Sequence, residues 1–301
     1  MRNRIRSPRS RHRRALLSVG LLTVAAATLT PGPPAVAEPG CTATVDTVVT
    51  ARIPVLDWAE NLAYDRQGNL WVSRPVHSEL DRYDSSGRLT ATVSIPYPMA
   101  VRLGPDGWLY VVSNGLPGAL AGQSTVMRFD PAAPDPQQFT AGLLAADGAV
   151  FDDDGNLYVS DLYTGVVRIR PDGTHDTAWN ARANLFSPNG MVVIGRNLYI
   201  NVTASLGGQV VRMSLDDPAD RSVVADLLPG GMPAFPDDLA VGPDGNLYIA
   251  TGGIGRLMRL DPATGSVCQL TATEPITAVA VSPTGDLMLS SELGNILRAR
   301  L

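Results

Sequence analysis

One pattern recurs six times along the chain and constrains its fold more than any other feature. In Asp152-Asp153-Asp154-Gly155-Asn156-Leu157-Tyr158-Val159-Ser160 a polar turn containing glycine enters an alternating apolar run. The signature returns at 66–73, 105–112, 194–200, 243–249 and 283–289, giving anchors at Leu70, Leu109, Leu157, Leu198, Leu247 and Leu287. Those leucines are 39, 48, 41, 49 and 40 residues apart. A glycine turn feeding an alternating run is a hairpin signal. A repeat of this length holds four short strands, which is one propeller blade. Isolated hairpins are marginal in water, so the blades must pack face to face. The predicted class is all-β: a six-bladed β-propeller with four antiparallel strands per blade.

The third copy shows the expected layout. Strands are predicted at 148–151, 157–160 and 165–170, with a polar outer strand running to about Trp179. The sixth copy ends at Leu301 after three strands, at 277–282, 287–290 and 296–301. The alternating segment 44–52 has no other place in the repeat. It is expected to supply the missing outer strand, closing the ring and removing an open edge.

Residues 1–37 read as an export signal. Seven arginines in 1–14 precede an apolar run at 15–28, and Ala35-Val36-Ala37 offers a small-residue cleavage site. The run is too short to cross a bilayer. Arg13-Arg14 leaves a twin-arginine signal open beside an ordinary Sec signal. The mature unit is then 38–301, one domain, secreted without a membrane anchor and expected to be monomeric. It retains seventeen arginines, no lysine and all 29 acids, a net charge near −12. Such a balance argues against nucleic acid or an anionic membrane as partner, and leaves a small molecule. Cys41 and Cys268 are the two cysteines. Cys41 precedes the closing strand and Cys268 falls in the outer strand of blade five, so an exported chain can join them or keep two thiols.

The chemistry is expected where the inner strands begin. Ten residues before each anchoring leucine stand Glu60, Met99, Asp147, Asp237 and Thr277; the fourth copy has a shorter turn, and nine back gives Asn189. In a propeller these positions converge on the mouth of the central channel. Carboxylates crowded there repel one another unless a cation joins them. An all-oxygen set without His or Cys suits a hard divalent ion: Ca²⁺ first, then Mg²⁺ or Mn²⁺, with Zn²⁺ as the outlying alternative. Loops after the second strands should rim the same mouth, bringing His77, Asn114, Asp161, Tyr163, Thr203, Ser205, Thr251 and Glu292. His77, Asn114, Asp161, Tyr163 and Thr203 are the candidate substrate-binding residues. His175, in an outer-strand turn, lies far from them. No Ser–His–acid arrangement and no phosphate-binding glycine loop is legible.

Glu60-Asn61-Leu62, Ser187-Pro188-Asn189-Gly190 and Pro236-Asp237-Asp238 resemble, in order, the Glu-Gly-Pro, Pro-Asn-Gly and Pro-Asp-Gly motifs of the gluconolactonase/regucalcin (senescence marker protein) family. Asn201-Val202-Thr203 and Gly208-Gln209-Val210-Val211-Arg212 extend the likeness, which spans 55–301. The resemblance implies a six-bladed propeller with one divalent ion on its axis, often hydrolysing sugar lactones. It implies Glu60, Asn189 and Asp237 as metal ligands and Asp237 as general base. Asp147 stands where sugar lactonases place a substrate-contacting Asn, and is a candidate fourth ligand or alternative base. Ala145 stands where some place a sugar-binding Arg. Asn61-Leu62 and Asp238 replace Gly-Pro and Gly.

Three functions are therefore expected to compete. The first is a secreted metal-dependent lactonase acting through activated water. The second is a non-catalytic binding propeller. The third is a cyclase or isomerase using the same metal pocket. Fold alone does not choose among them.

Overall fold

The computed structural model describes residues 41–114, 123–228 and 233–301. The expected export signal over 1–37 lies outside them. Six antiparallel sheets follow one another in sequence. Their inner strands are Leu62–Tyr64, Pro98–Leu103, Ala146–Phe151, Pro188–Ile194, Pro236–Val241 and Ile276–Val281. Five of the six sheets have four strands.

The repeated turn has a local cause. Its glycines, Gly68, Gly107, Gly155, Gly195, Gly245 and Gly285, all adopt positive φ between 58° and 90°. Side chains strain there and glycine does not. The turn aspartates are structural. Asp152 Oδ2 accepts from Tyr158 Oη at 3.0 Å, and Asp244 and Asp106 accept likewise from Tyr248 and Tyr110, each at 2.9 Å. Trp71 Nε1 plays the same part toward Asp65 at 2.9 Å. In four of the six repeats the aromatic after the leucine thus ties its strand to the turn that starts it.

Among the described residues the buried apolar side chains fall into six clusters, one at each junction between successive blades. The core is therefore a ring of six seams. The last seam closes as expected: Thr44–Val49 pairs antiparallel with Ile296–Arg300, Thr44 facing Arg300 and Val45 facing Ala299. Cys41 and Cys268 form a disulfide with Cα atoms 6.2 Å apart, fixing the closing strand to blade five.

Blade three departs from expectation. It has three strands, and its predicted outer strand to Trp179 is replaced by a one-turn helix, Thr177–Asn180. The Asp176 side chain accepts from Trp179 N and caps the turn at 3.3 Å. Trp179 then donates its Nε1–H to Leu215 O at 2.8 Å and packs edge-on against Tyr158. Only the bridge Ile169–His175 remains of the strand. Among the described residues no helix is long and apolar enough to cross a membrane.

Candidate metal centre at the channel mouth

Each inner strand starts at the mouth, and in five of the six blades the ring residue is its second member: Met99, Asp147, Asn189, Asp237 and Thr277. Glu60 holds the equivalent place just ahead of Leu62. The pairing slips there. Pro98, Ala146, Pro188 and Pro236 pair with the second strand, two residues are passed over, and pairing resumes at Val101, Ala149, Met191 and Leu239. Bulges of this kind turn side chains out of the sheet. Here they aim ring residues at the axis.

Glu60, Asp147 and Asp237 each bring a carboxylate oxygen within 4.8 Å of the others. Asn189 lines the same pocket as Asp147. Thr277 uses its hydroxyl elsewhere, donating to Ala59 O at 2.7 Å. Met99 contributes an apolar wall to the pocket.

One residue further along the strands lies a second tier that the sequence did not connect. Asn61 Nδ2 donates to Asp238 Oδ2 at 2.8 Å, and the Arg102 guanidinium bonds both Asp238 Oδ2 and Asn61 Oδ1 at 2.6 Å. Gly148 and Gly190 occupy this tier in blades three and four. A Cβ at Gly190 would collide with Asp238 Cα and Asp237 O, and one at Gly148 with Asn189 O. Inner strands approach so closely here that only glycine fits.

The electrostatics of the triad are lopsided. Burial, then Asp147, Asp238 and Glu292, hold the Glu60 carboxyl well above its ordinary range. Burial, then Glu60, Asp147, Asp238 and Glu292, do the same to Asp237. Asp147 is pushed up to about 7 by burial and by Asp238. Among the described residues Glu60 Oε2 is buried with no hydrogen bond of ordinary geometry, and the Trp58 side chain beside it favours the charged carboxylate. The Arg102 guanidinium is committed one tier below. Three converging carboxylate oxygens fit a divalent cation, which supplies the missing charge.

The pocket over the ring holds about 280 Å³ and is lined by Trp58, Tyr97, Met99, Asn114, Ala145, Ala146, Asp147, Leu162, Ser187, Pro188, Asn189 and Thr203. Of the expected substrate residues it gathers Asn114 and Thr203. His77 is elsewhere. Its Nε2 meets Asp57 Oδ1 at 2.9 Å on the wall of a separate cleft of about 480 Å³ beside blade one. That larger cleft is lined by ion pairs such as Arg74–Asp81 and lacks the acid triad. Asp161 is buried with its carboxylate filled: Oδ2 accepts from Leu144 N and Ala145 N at 2.6 and 3.2 Å, Oδ1 from Tyr163 N and Thr164 N at 3.1 and 3.2 Å. It pins two mouth loops through these four backbone amides. Tyr163 points to solvent, 60% exposed, outside the pocket lining. Ser205 and Thr251 bond backbone groups within their own turns. Glu292 Oε1 accepts from Gly253 N at 2.9 Å beside the triad. Trp58, Tyr97 and the Asn61–Arg102–Asp238 tier were missed in the sequence.

No protein-family model and no curated protein matches the sequence. Solved structures do match in shape. A gluconolactonase from Xanthomonas campestris is 17% identical, with TM-score 0.65 over 90% of this chain and 98% of that one. A calcium-binding protein, regucalcin, from Agrobacterium tumefaciens is 16% identical, with TM-score 0.66 over 84% and 92%. A catalytically inactive virginiamycin B lyase from Staphylococcus aureus, with quinupristin, is 11% identical, with TM-score 0.61 over 86% and 99%. At these identities the likeness establishes the six-bladed propeller, as the sequence motifs implied.

Proposed function

We propose that this chain is a divalent-metal-dependent hydrolase that opens a small lactone at the channel mouth. The observation that carries the reading is the Glu60–Asp147–Asp237 triad, whose carboxylate oxygens converge within 4.8 Å of one another. Glu60, Asn189 and Asp237 would hold the ion, with Asp147 as a fourth ligand. A bound divalent cation, Ca²⁺ first, polarises a carbonyl and acidifies water. Asp237 takes the proton from the attacking water and returns it to the ring oxygen as the acyl C–O bond breaks. Asp147, whose carboxyl converges on the same point, is the alternative base. The gluconolactonase and calcium-binding neighbours support this choice among activities a propeller can host. The same reading takes 1–37 as an export signal and 38–301 as the exported unit. The disulfide supports export.

The experiment is a titration of residues 38–301 with Ca²⁺, Mn²⁺ and Zn²⁺, following thermal melting and hydrolysis of a lactone panel together, beside Asp237→Ala. Metal-dependent turnover lost in the variant supports the hydrolase. A melting shift without turnover on any lactone moves the chain to the binding or cyclase readings.

A further inference from the structure

The residue two before each ring position forms a collar above it: Trp58, Tyr97, Ala145, Ser187, Phe235 and Pro275. Trp58, Tyr97, Ala145 and Ser187 line the pocket over Asp147 and Asn189. Phe235 stands at the rim from blade five, outside that lining and beside the 252–253 turn. A Cβ on Gly253 would touch its ring at 3.7 Å, and one on the adjoining Gly252 would lie 3.5 Å from Asp237 Oδ2. The collar has two halves. Blades five, six, one and two, consecutive around the ring, give Phe235, Pro275, Trp58 and Tyr97. Blades three and four give only Ala145 and Ser187, and the open space lies against these small residues.

Backbone geometry marks the same tier. Tyr97, Ser187 and Phe235 have left-handed φ of 41°, 57° and 47°, each directly before a proline. Such strain persists where the surroundings enforce it, and it gathers at functional sites. Phe235 is held this way while 44% exposed.

Three polar atoms of the wall are already engaged, while among the described residues Trp58 Nε1 is a buried donor without a hydrogen bond of ordinary geometry. Thr203 Oγ1 donates to Pro236 O at 2.7 Å, Ser187 Oγ accepts from Ala204 N at 3.3 Å, and Asn114 Oδ1 accepts from Ser124 Oγ at 2.7 Å. Among the described residues no arginine, lysine or histidine lines the pocket. A ligand hydroxyl buried here without a partner loses more than it gains, whereas apolar surface gains against Trp58, Tyr97, Met99, Ala145 and Leu162.

We infer that the substrate of this mouth is a lactone or ester with an apolar body, its carbonyl over the acid ring and its aliphatic or aromatic part against the Phe235–Trp58–Tyr97 arc, and not a polyhydroxylated sugar lactone. The inference rests on the hydrolase reading, and its test separates the two.

Hydrolysis of δ-lactones of increasing alkyl chain length is compared with that of glucono-δ-lactone. Binding of the matching alkyl δ-lactams, which resist opening, is measured by calorimetry. Wild type is run beside Trp58→Ala and Phe235→Asn; asparagine tolerates left-handed backbone, so the second variant does not put folding at risk. The expected result is a rise of about fourfold per methylene in kcat/KM and in lactam affinity over the first carbons. Both slopes should flatten in both variants. Preference for glucono-δ-lactone would overturn the inference and keep the hydrolase. Lactam affinity that climbs with chain length and falls in Trp58→Ala, without turnover of any lactone, would keep the apolar mouth and overturn the hydrolase. Absence of chain-length dependence in both measurements would overturn the inference.

Discussion

Asn61 and Asp238 lie 177 residues apart in the chain and meet at 2.8 Å across the channel, Asn61 Nδ2 donating to Asp238 Oδ2. Each replaces a glycine of the resembled motifs, so the two departures compensate one another. Arg102 completes the set from blade two, 2.6 Å from both. The tier is a buried ion pair with its own hydrogen-bond frame, laid directly under the acid triad.

Removing one member should therefore be severe. Arg102→Ala leaves Asp238 buried and unpaired, which costs about 3–5 kcal/mol. The expected result is a large fall in melting temperature. Asn61→Gly with Asp238→Gly removes both departures together and should cost less than the two single changes combined, by roughly 0.5–3 kcal/mol in a double-mutant cycle. Additive losses would show that the contact carries no coupling.

Gly190 offers a second check on the tier. A methyl group there meets the Asp238 and Asp237 backbone, which cannot yield like a flexible side chain. Gly190→Ala should lower stability by about 1–3 kcal/mol through overpacking and weaken metal binding with it. Gly195, with open space beside it, tests the alternative that any glycine matters: Gly195→Asn, at φ 58°, should be tolerated in both readouts.

The six leucine anchors made the fold legible, because glycine turns fix hairpin register and register fixes which residue opens each inner strand. Counting back from those leucines therefore found Glu60, Asp147, Asn189 and Asp237. The Asn61–Asp238 contact was not legible, since nothing local links residues on blades one and five. Asp161 was placed in the right loop, but position does not tell which way a carboxylate turns, and four backbone amides claim it. The outer strand of blade three gave way to the Asp176 cap and the burial of Trp179, a competition between edge strand and seam that composition does not decide. The aromatic collar stayed hidden because only three of its six positions are aromatic.

The triad sets a pH dependence for the metal-free protein. Folding raises the carboxyls of Glu60 and Asp237 well above their ordinary values and that of Asp147 from 3.8 to about 7. Acids raised in this way are protonated in the folded state where the unfolded chain has already ionised. Their contribution is fully present below about pH 4 and is lost as pH rises toward 7 and beyond. Chelated protein should melt at lower temperature at pH 8 than at pH 5.5, and saturating Ca²⁺ should remove or reverse that slope. Asp147→Asn should flatten it without metal. A melting temperature that rises between those pH values in chelator would contradict the crowding of the three acids.

The disulfide should act on ring closure and leave the mouth chemistry alone. Cys41 and Cys268 are separated by 227 residues, and the strand that follows Cys41 completes blade six. Replacing both with serine should cost about 2–5 kcal/mol. Metal affinity of the folded variant should match wild type, because the bridge stands at the outer edge of the propeller.

The most direct measurement is calorimetric titration of Ca²⁺ into the metal-free protein at pH 6 in two buffers of different ionisation enthalpy, with Glu60→Gln and Asp237→Asn alongside. The expected result is one ion per chain, protons released on binding as the raised carboxyls ionise, and affinity lost in both variants. Binding that survives both substitutions, or no binding of Ca²⁺, Mg²⁺, Mn²⁺ or Zn²⁺, would contradict a metal centre at the mouth.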